Sequence, residues 1–336
     1  MDLKTLTEIN APSGHEQAIR RFLLDELKKL GFAPVLDRMG NVVVVKEGTG
    51  DAPRKRVMVS AHMDEVGLIV TSATEDGYLR IAAAGGIDPR VLVSKRVTVG
   101  EDKLPGVIGA VPIHLQSAAE RKHVLSMDEL LVDIGAKNKD EAECKAPMGT
   151  YISFDTPYVE YGDGFACGKA FDDRVGCLSL LRLLQEELPV DLVACFVSEE
   201  EVGCRGAKGA AFQQEPDVGI VLEGTTCNDL GDVPETAHVC EAGQGVAVSF
   251  MDGASIANRA LFRKALDVAK QENIPHQVKH SVSGGNDGGA IQRAREGVPV
   301  VVLSVPCRYI HSPSSVVKLS DVESQFALMK ALVKAL

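Results

Sequence analysis

Leu192-Val193-Ala194-Cys195-Phe196-Val197-Ser198-Glu199-Glu200-Glu201-Val202-Gly203 is an apolar run that breaks off into three consecutive acids. The apolar part is too short for a core helix and suits a buried strand, so the acids stand where that strand leaves its sheet. Similar β-branched runs occupy residues 42–45, 56–61, 219–222 and 298–304. Between several of them lie helical patterns, such as Leu178, Leu181, Leu184 and Leu188, or residues 261–271. Strands alternating with helices predict an α/β fold, a mixed sheet with helices on both faces.

Pro12-Ser13-Gly14-His15-Glu16 reads as a helix start, with Ser13 as cap and Glu16 completing a capping box. Ile19, Phe22, Leu23, Leu27 and Leu30 then form one apolar stripe, and Gly31 ends it. Residues 71–165 have a different texture. Short strand-like runs at 78–82, 96–99, 106–108, 130–134 and 151–154 are separated by Gly, Asp and Pro, which predicts a small β-rich domain inserted into the α/β one. The expected division is 1–70 with 166–336 for the main domain and 71–165 for the insertion.

Composition narrows the function classes. The 336 residues are 45% hydrophobic and 25% charged, as in an ordinary globular protein. A formal net charge of -11, with no basic run, argues against nucleic acid or anionic lipid as partner. Residues 1–5 lack a signal-peptide pattern, and no apolar run reaches the ~18 residues of a membrane span, so a cytoplasmic address is expected. The eight cysteines form no Cys-x-x-Cys pair and are expected to be reduced, mostly buried thiols.

The chemistry sits at strand ends, where α/β enzymes gather functional groups. His62 and Asp64 follow the run at 56–61 and point the same way along an extended segment, so the carboxylate can orient a metal-binding imidazole. Asp172 and Asp173 precede a helix, Glu200 and Glu201 lie just beyond the run at 192–197, Glu223 follows the run at 219–222, and His311 lies beyond 298–304. Each motif alone is weak, since adjacent acids can merely complement a helix dipole and a lone His-x-Asp arises by chance. Their conjunction points to a metal site held by His62, Asp172, Glu201, Glu223 and His311. Oxygen and imidazole donors without thiolate suit zinc, cobalt or manganese in a Lewis-acid role. Three carboxylates against two divalent ions leave one positive charge, which a hydroxide cancels.

At this point the chain resembles the tetrahedral (TET-type) aminopeptidases, cytosolic dinuclear metallopeptidases that include glutamyl, leucyl and lysyl aminopeptidases and relatives labelled endoglucanase. The resemblance rests on Pro12-Ser13-Gly14, Ala61-His62-Met63-Asp64-Glu65-Val66-Gly67, Gly168-Lys169-Ala170-Phe171-Asp172-Asp173-Arg174, Glu200-Glu201-Val202-Gly203-Cys204-Arg205-Gly206-Ala207 and Arg308-Tyr309-Ile310-His311-Ser312-Pro313. It implies a zinc-exopeptidase-like catalytic domain in which His62, Asp172 and Glu223 hold one ion while Asp172, Glu201 and His311 hold the other. It further implies Asp64 as support for His62, Glu200 as general base, a cis bond between Asp172 and Asp173, and an insertion that pairs chains into dimers and then a dodecamer. Short peptides are the implied substrates. The chain departs from the family pattern at Glu223, where Asp is frequent, and at Gly284-Gly285-Asn286-Asp287, where the family has Gly-Gly-Thr-Asp. A two-metal deacylase or carboxypeptidase, an endoglucanase and a non-catalytic binding protein are the competing readings.

Overall fold

In the computed structural model, which describes residues 2–282 and 284–336, four parallel strands form the centre of a mixed sheet: Asp191–Val197, Arg56–His62, Val218–Cys227 and Val300–Arg308, in that spatial order. Val42–Lys46 and Val35–Leu36 extend one side antiparallel. Ser315–Lys318, Phe165–Gly168 and Val159–Tyr161 extend the other, while Val246–Ser249 and His276–Val278 branch from the Val300–Arg308 strand. Side chains alternate across the sheet as strand geometry requires. Leu192, Ala194 and Phe196 enter one core with helices Gln17–Lys29, Phe171–Leu183, Arg259–Gln271 and Leu319–Lys334. Val193, Cys195 and Val197 enter the other with Arg205–Gln214 and Asp287–Gln292. Helices therefore cover both faces, and the expected α/β class is the one found.

The chain leaves the sheet after His62 and closes a six-stranded antiparallel barrel from Gly67–Ala73, Leu79–Ala84, Leu131–Asp133, Leu104–Gly109, Arg96–Val99 and Tyr151–Phe154, in that order around it. Closure removes the exposed strand edges that would otherwise invite pairing with other chains. The barrel has its own core, including Leu68, Leu79, Ile108, Val132 and Ile152. From Val159 onward the chain is back in the large sheet, so the barrel lies between His62 and Asp172 in sequence.

Two local expectations are corrected. The first long helix starts at Gln17 with Glu16 at its cap and no side-chain cap bond. Ser13, read as that cap, instead donates its hydroxyl to Asp64 Oδ2 at 2.6 Å, because tertiary packing buries it beside an acid 51 residues away. Glu223 does not end its strand. Pairing with the Val300–Arg308 strand continues through Cys227, since Thr225 and Thr226 fit a ladder as well as the apolar residues do. All eight cysteines are free thiols, five of them buried. No helix among the described residues is long and apolar enough to cross a membrane.

Candidate metal centre

Parallel register places the donors. Val197 is level with His62, and Val221 is level with Ser60, so Glu223 arrives beside the imidazole from the neighbouring strand. Asp172 enters from the turn into the Phe171–Leu183 helix, where Asp172 and Asp173 have non-helical torsions and the peptide bond between them is cis. His311 follows the end of the Val300–Arg308 strand with φ of 56°.

The separations are informative. His62 Nε2 lies 3.3 Å from Asp172 Oδ1 and 3.6 Å from Glu223 Oε2. His311 Nε2 lies 3.4 Å from Asp172 Oδ2 and 3.2 Å from Glu201 Oε2. Two donors about 2.0–2.2 Å from one tetrahedral ion stand roughly 3.4 Å apart, so these separations have the length that the edges of a metal polyhedron require. His62 Nε2 and Glu223 Oε1 are buried and lack hydrogen-bond partners among the described residues, a costly state that a cation relieves. The residues present fit a divalent ion. The two oxygens of Asp172 face different histidines.

Supporting contacts orient the donors. His62 Nδ1 is 3.1 Å from the main-chain oxygen of Asp64 and 3.4 Å from its Oδ1, which leaves Nε2 facing the acids. The expected partner was the carboxylate, and the main-chain carbonyl makes the closer contact. The Asp64 carboxylate instead accepts the backbone N–H groups of Glu200 and Glu201 at 3.1 and 3.2 Å, in addition to the Ser13 hydroxyl. One acid thus fixes both an imidazole and the acidic loop. Behind it, Glu65 pairs with buried Lys169 at 2.7 Å and accepts the N–H of Ala11. These supporting roles have little local signature, although Glu65 and Lys169 flank His62 and Asp172 in the sequence.

Charge is concentrated. Burial opposes ionisation at Asp172, but the facing imidazoles win and hold its carboxyl below the usual range. Burial pushes Glu201 up to about 8, assisted by Asp172 and Glu200. At His311 burial disfavours the cation, yet Asp172 and Glu201 outweigh it and push the imidazole up to about 9. Protons carry charge that a divalent ion would supply.

Glu200 stands slightly apart, its Oε1 accepting a contact from Cys204 Sγ at 3.3 Å. Arg205 pairs with Glu199 at 3.3 Å. Asn286 caps the Asp287–Gln292 helix through Gly288 N and donates to Asp252. A cleft bounded by Asp88, Val91 and Lys95 from the barrel side and by Tyr309 and His311 from the sheet side opens next to the donors.

Gly224 gives a structural test. Its N–H donates to Asp172 Oδ1 at 2.9 Å, and a Cβ there would come 3.0 Å from the Asp172 Cβ, Cγ and Oδ1. Gly224→Ala is expected to weaken metal affinity by roughly 10- to 100-fold, the effect of disturbing a ligand's support. Titration of metal-free protein checks it, and unchanged affinity would show that Asp172 is not positioned through this contact.

The M42 glutamyl aminopeptidase family model matches residues 40–328. The lysyl aminopeptidase of Pyrococcus furiosus is 33% identical over 99% of this chain and 96% of its own length. The glutamyl aminopeptidase of Lactococcus lactis is also 33% identical, over 99% and 95% respectively. The solved TET1 peptidase of Pyrococcus horikoshii, which can assemble into a tetrahedron or a large octahedral shell, superposes with a TM-score of 0.87 at 33% identity, covering 99% of this chain and 98% of that one.

Proposed function

This chain belongs to the M42 glutamyl aminopeptidase family of TET-type peptidases, and we propose that it is a cytoplasmic, dinuclear aminopeptidase that removes N-terminal residues from short peptides. The observation that carries the reading is Asp172, whose Oδ1 and Oδ2 face His62 and His311 separately, as a bridging carboxylate must. One ion would be held by His62, Asp172 and Glu223, the other by Asp172, Glu201 and His311, with zinc the first choice and cobalt or manganese the alternatives. When bound, such ions supply Lewis-acid polarisation of the scissile carbonyl and acidify the attacking water.

The chain's own groups do the rest. Asp64 fixes the His62 ring and the Glu200–Glu201 backbone together. Glu200, not among the proposed ligands, takes the proton from the attacking water and passes it to the leaving amine. The cleft between the barrel and Tyr309 admits the peptide. Metal-free protein reloaded separately with zinc, cobalt and manganese should cleave aminoacyl anilides and leave N-acylated amino acids and cellulose oligomers intact. Cleavage of the N-acylated substrates in preference to the anilides would favour a deacylase instead.

We also assign dimerisation to the inserted segment 71–165, with dimers building a dodecamer. Support comes from exposed apolar side chains there, Val111, Ile113, Leu115 and Val124, each at least 60% accessible, a concentration unusual for a free surface. The native protein is expected to sediment near the mass of twelve 35.8 kDa chains, and Ile113→Glu with Leu115→Glu to yield a smaller species. A clean monomer for the unaltered chain would refute the assembly.

A further inference from the structure

Cys204 caps the Arg205–Gln214 helix with φ of 52°, and its Sγ lies 3.3 Å from Glu200 Oε1. Facing them is Asp287, only 1% exposed, whose two carboxylate oxygens have no hydrogen-bond partner among the described residues. One donor atom from each of Glu200, Cys204 and Asp287 falls within 4.8 Å of the other two. An unsatisfied buried carboxylate costs free energy, and some acids close by avoid the cost. Asp64 accepts from Ser13, Glu200 and Glu201, and Asp252 accepts from Ala254, Ser255 and Asn286. Glu223 and Asp173 each leave one buried oxygen unpaired, whereas Asp287 alone among the described residues leaves both, and it points at a thiol and a second acid.

We propose that Glu200, Cys204 and Asp287 form a further cation site, beside the His62–His311 centre, for a thiophilic divalent ion such as zinc or cadmium. The donor chemistry differs from that of the main centre, which has no sulfur: a thiolate with two carboxylates selects softer ions, and a water completes four-coordination. The dimensions agree. With metal–sulfur and metal–oxygen bonds of about 2.3 and 2.0–2.2 Å, donors on one tetrahedral ion stand roughly 3.5 Å apart, and the thiol and Glu200 are already at 3.3 Å. Glu200 and Cys204 are partly accessible while Asp287 is buried, so an ion enters past the first two and rests on the third.

Occupancy has a functional consequence, which rests on the reading of Glu200 as proton carrier. A carboxylate bound to this further ion cannot accept a proton from water, so excess zinc or cadmium inhibits without touching the ions of the main centre. Ordinary metal dependence would then turn over at high zinc, with activity rising as the main centre fills and falling as this site fills.

The test uses the full-length enzyme with its resident metals loaded, titrated with cadmium chloride. Binding is read by the ultraviolet thiolate-to-cadmium charge-transfer band, which the sulfur-free main centre cannot produce, and hydrolysis of an aminoacyl anilide is followed in parallel. The band is expected in the unaltered protein and absent from Cys204→Ala. In Asp287→Asn the cadmium affinity should fall at least by the roughly 10- to 100-fold that loss of mere supporting contacts produces. Inhibition should follow the band and disappear with it in Cys204→Ala, whose thermal unfolding is compared with that of the parent to establish folding. A band that persists unchanged in Cys204→Ala, or its absence from the parent, overturns the site and leaves the Glu200 assignment standing. A Cys204-dependent band that fills with no loss of turnover supports the site and sinks the role of Glu200 instead.

Discussion

Asp172→Ala protein is expected to come out of purification nearly metal-free and to hydrolyse aminoacyl anilides at least about 1,000-fold more slowly than the parent, an effect at the upper end of losing a single electrostatic stabiliser. The reason is geometric. His62 and His311 each face one oxygen of this carboxylate, at 3.3 and 3.4 Å, so one substitution removes a donor from both proposed ion positions. His62→Ala and His311→Ala each remove a donor from only one position and should leave the other partly filled. Plasma mass spectrometry separates the three variants by metal stoichiometry. Added metal should raise the melting temperature of the parent, by linkage worth about 2.7 kcal/mol at a hundredfold excess over Kd, and should scarcely move that of Asp172→Ala. Full metal occupancy in Asp172→Ala would end the bridging assignment.

Runs such as Leu192 to Val197 were recognisable because alternate side chains enter two different cores, which requires unbroken apolarity. The seven residues His62, Asp64, Asp172, Glu200, Glu201, Glu223 and His311 stood out because polar groups at the margins of such runs have no packing reason to be there. Ser13 misled because a capping signature is local, whereas its actual partner, Asp64, is distant in the chain and only the fold brings it near. Closure of the barrel was equally hidden. It requires Leu68 to pair with Ile152 across more than eighty residues, and strand-like texture carries no record of which strands meet. Asn286 caps the helix that follows it, but the isolation of the neighbouring Asp287 carboxylate depends on the Cys204 loop packing against it, which no local pattern records.

Glu200→Gln should retain its metals and lose turnover by a factor of roughly 100 to 10,000, the span of a positioned general base. The substitution keeps side-chain volume and can still hydrogen-bond a water, but an amide cannot take the proton that must leave that water. The backbone at this position is held from elsewhere, by Asp64 through the Glu200 N–H at 3.1 Å, so the loop has no reason to move. The side chain reaches Cys204, whereas the adjacent Glu201 reaches His311 at 3.2 Å, and this separates two neighbouring acids into different chemistry. Glu201→Gln should therefore lose metal and recover part of its activity when metal is added, while Glu200→Gln recovers none. Michaelis constants should change less than turnover in Glu200→Gln, because the proton moves only as the bond is broken. If Glu200→Gln lost its metals while Glu201→Gln kept them, the two roles would have to be exchanged, and the Cys204 contact would then mark a ligand's support rather than the neighbour of a proton carrier.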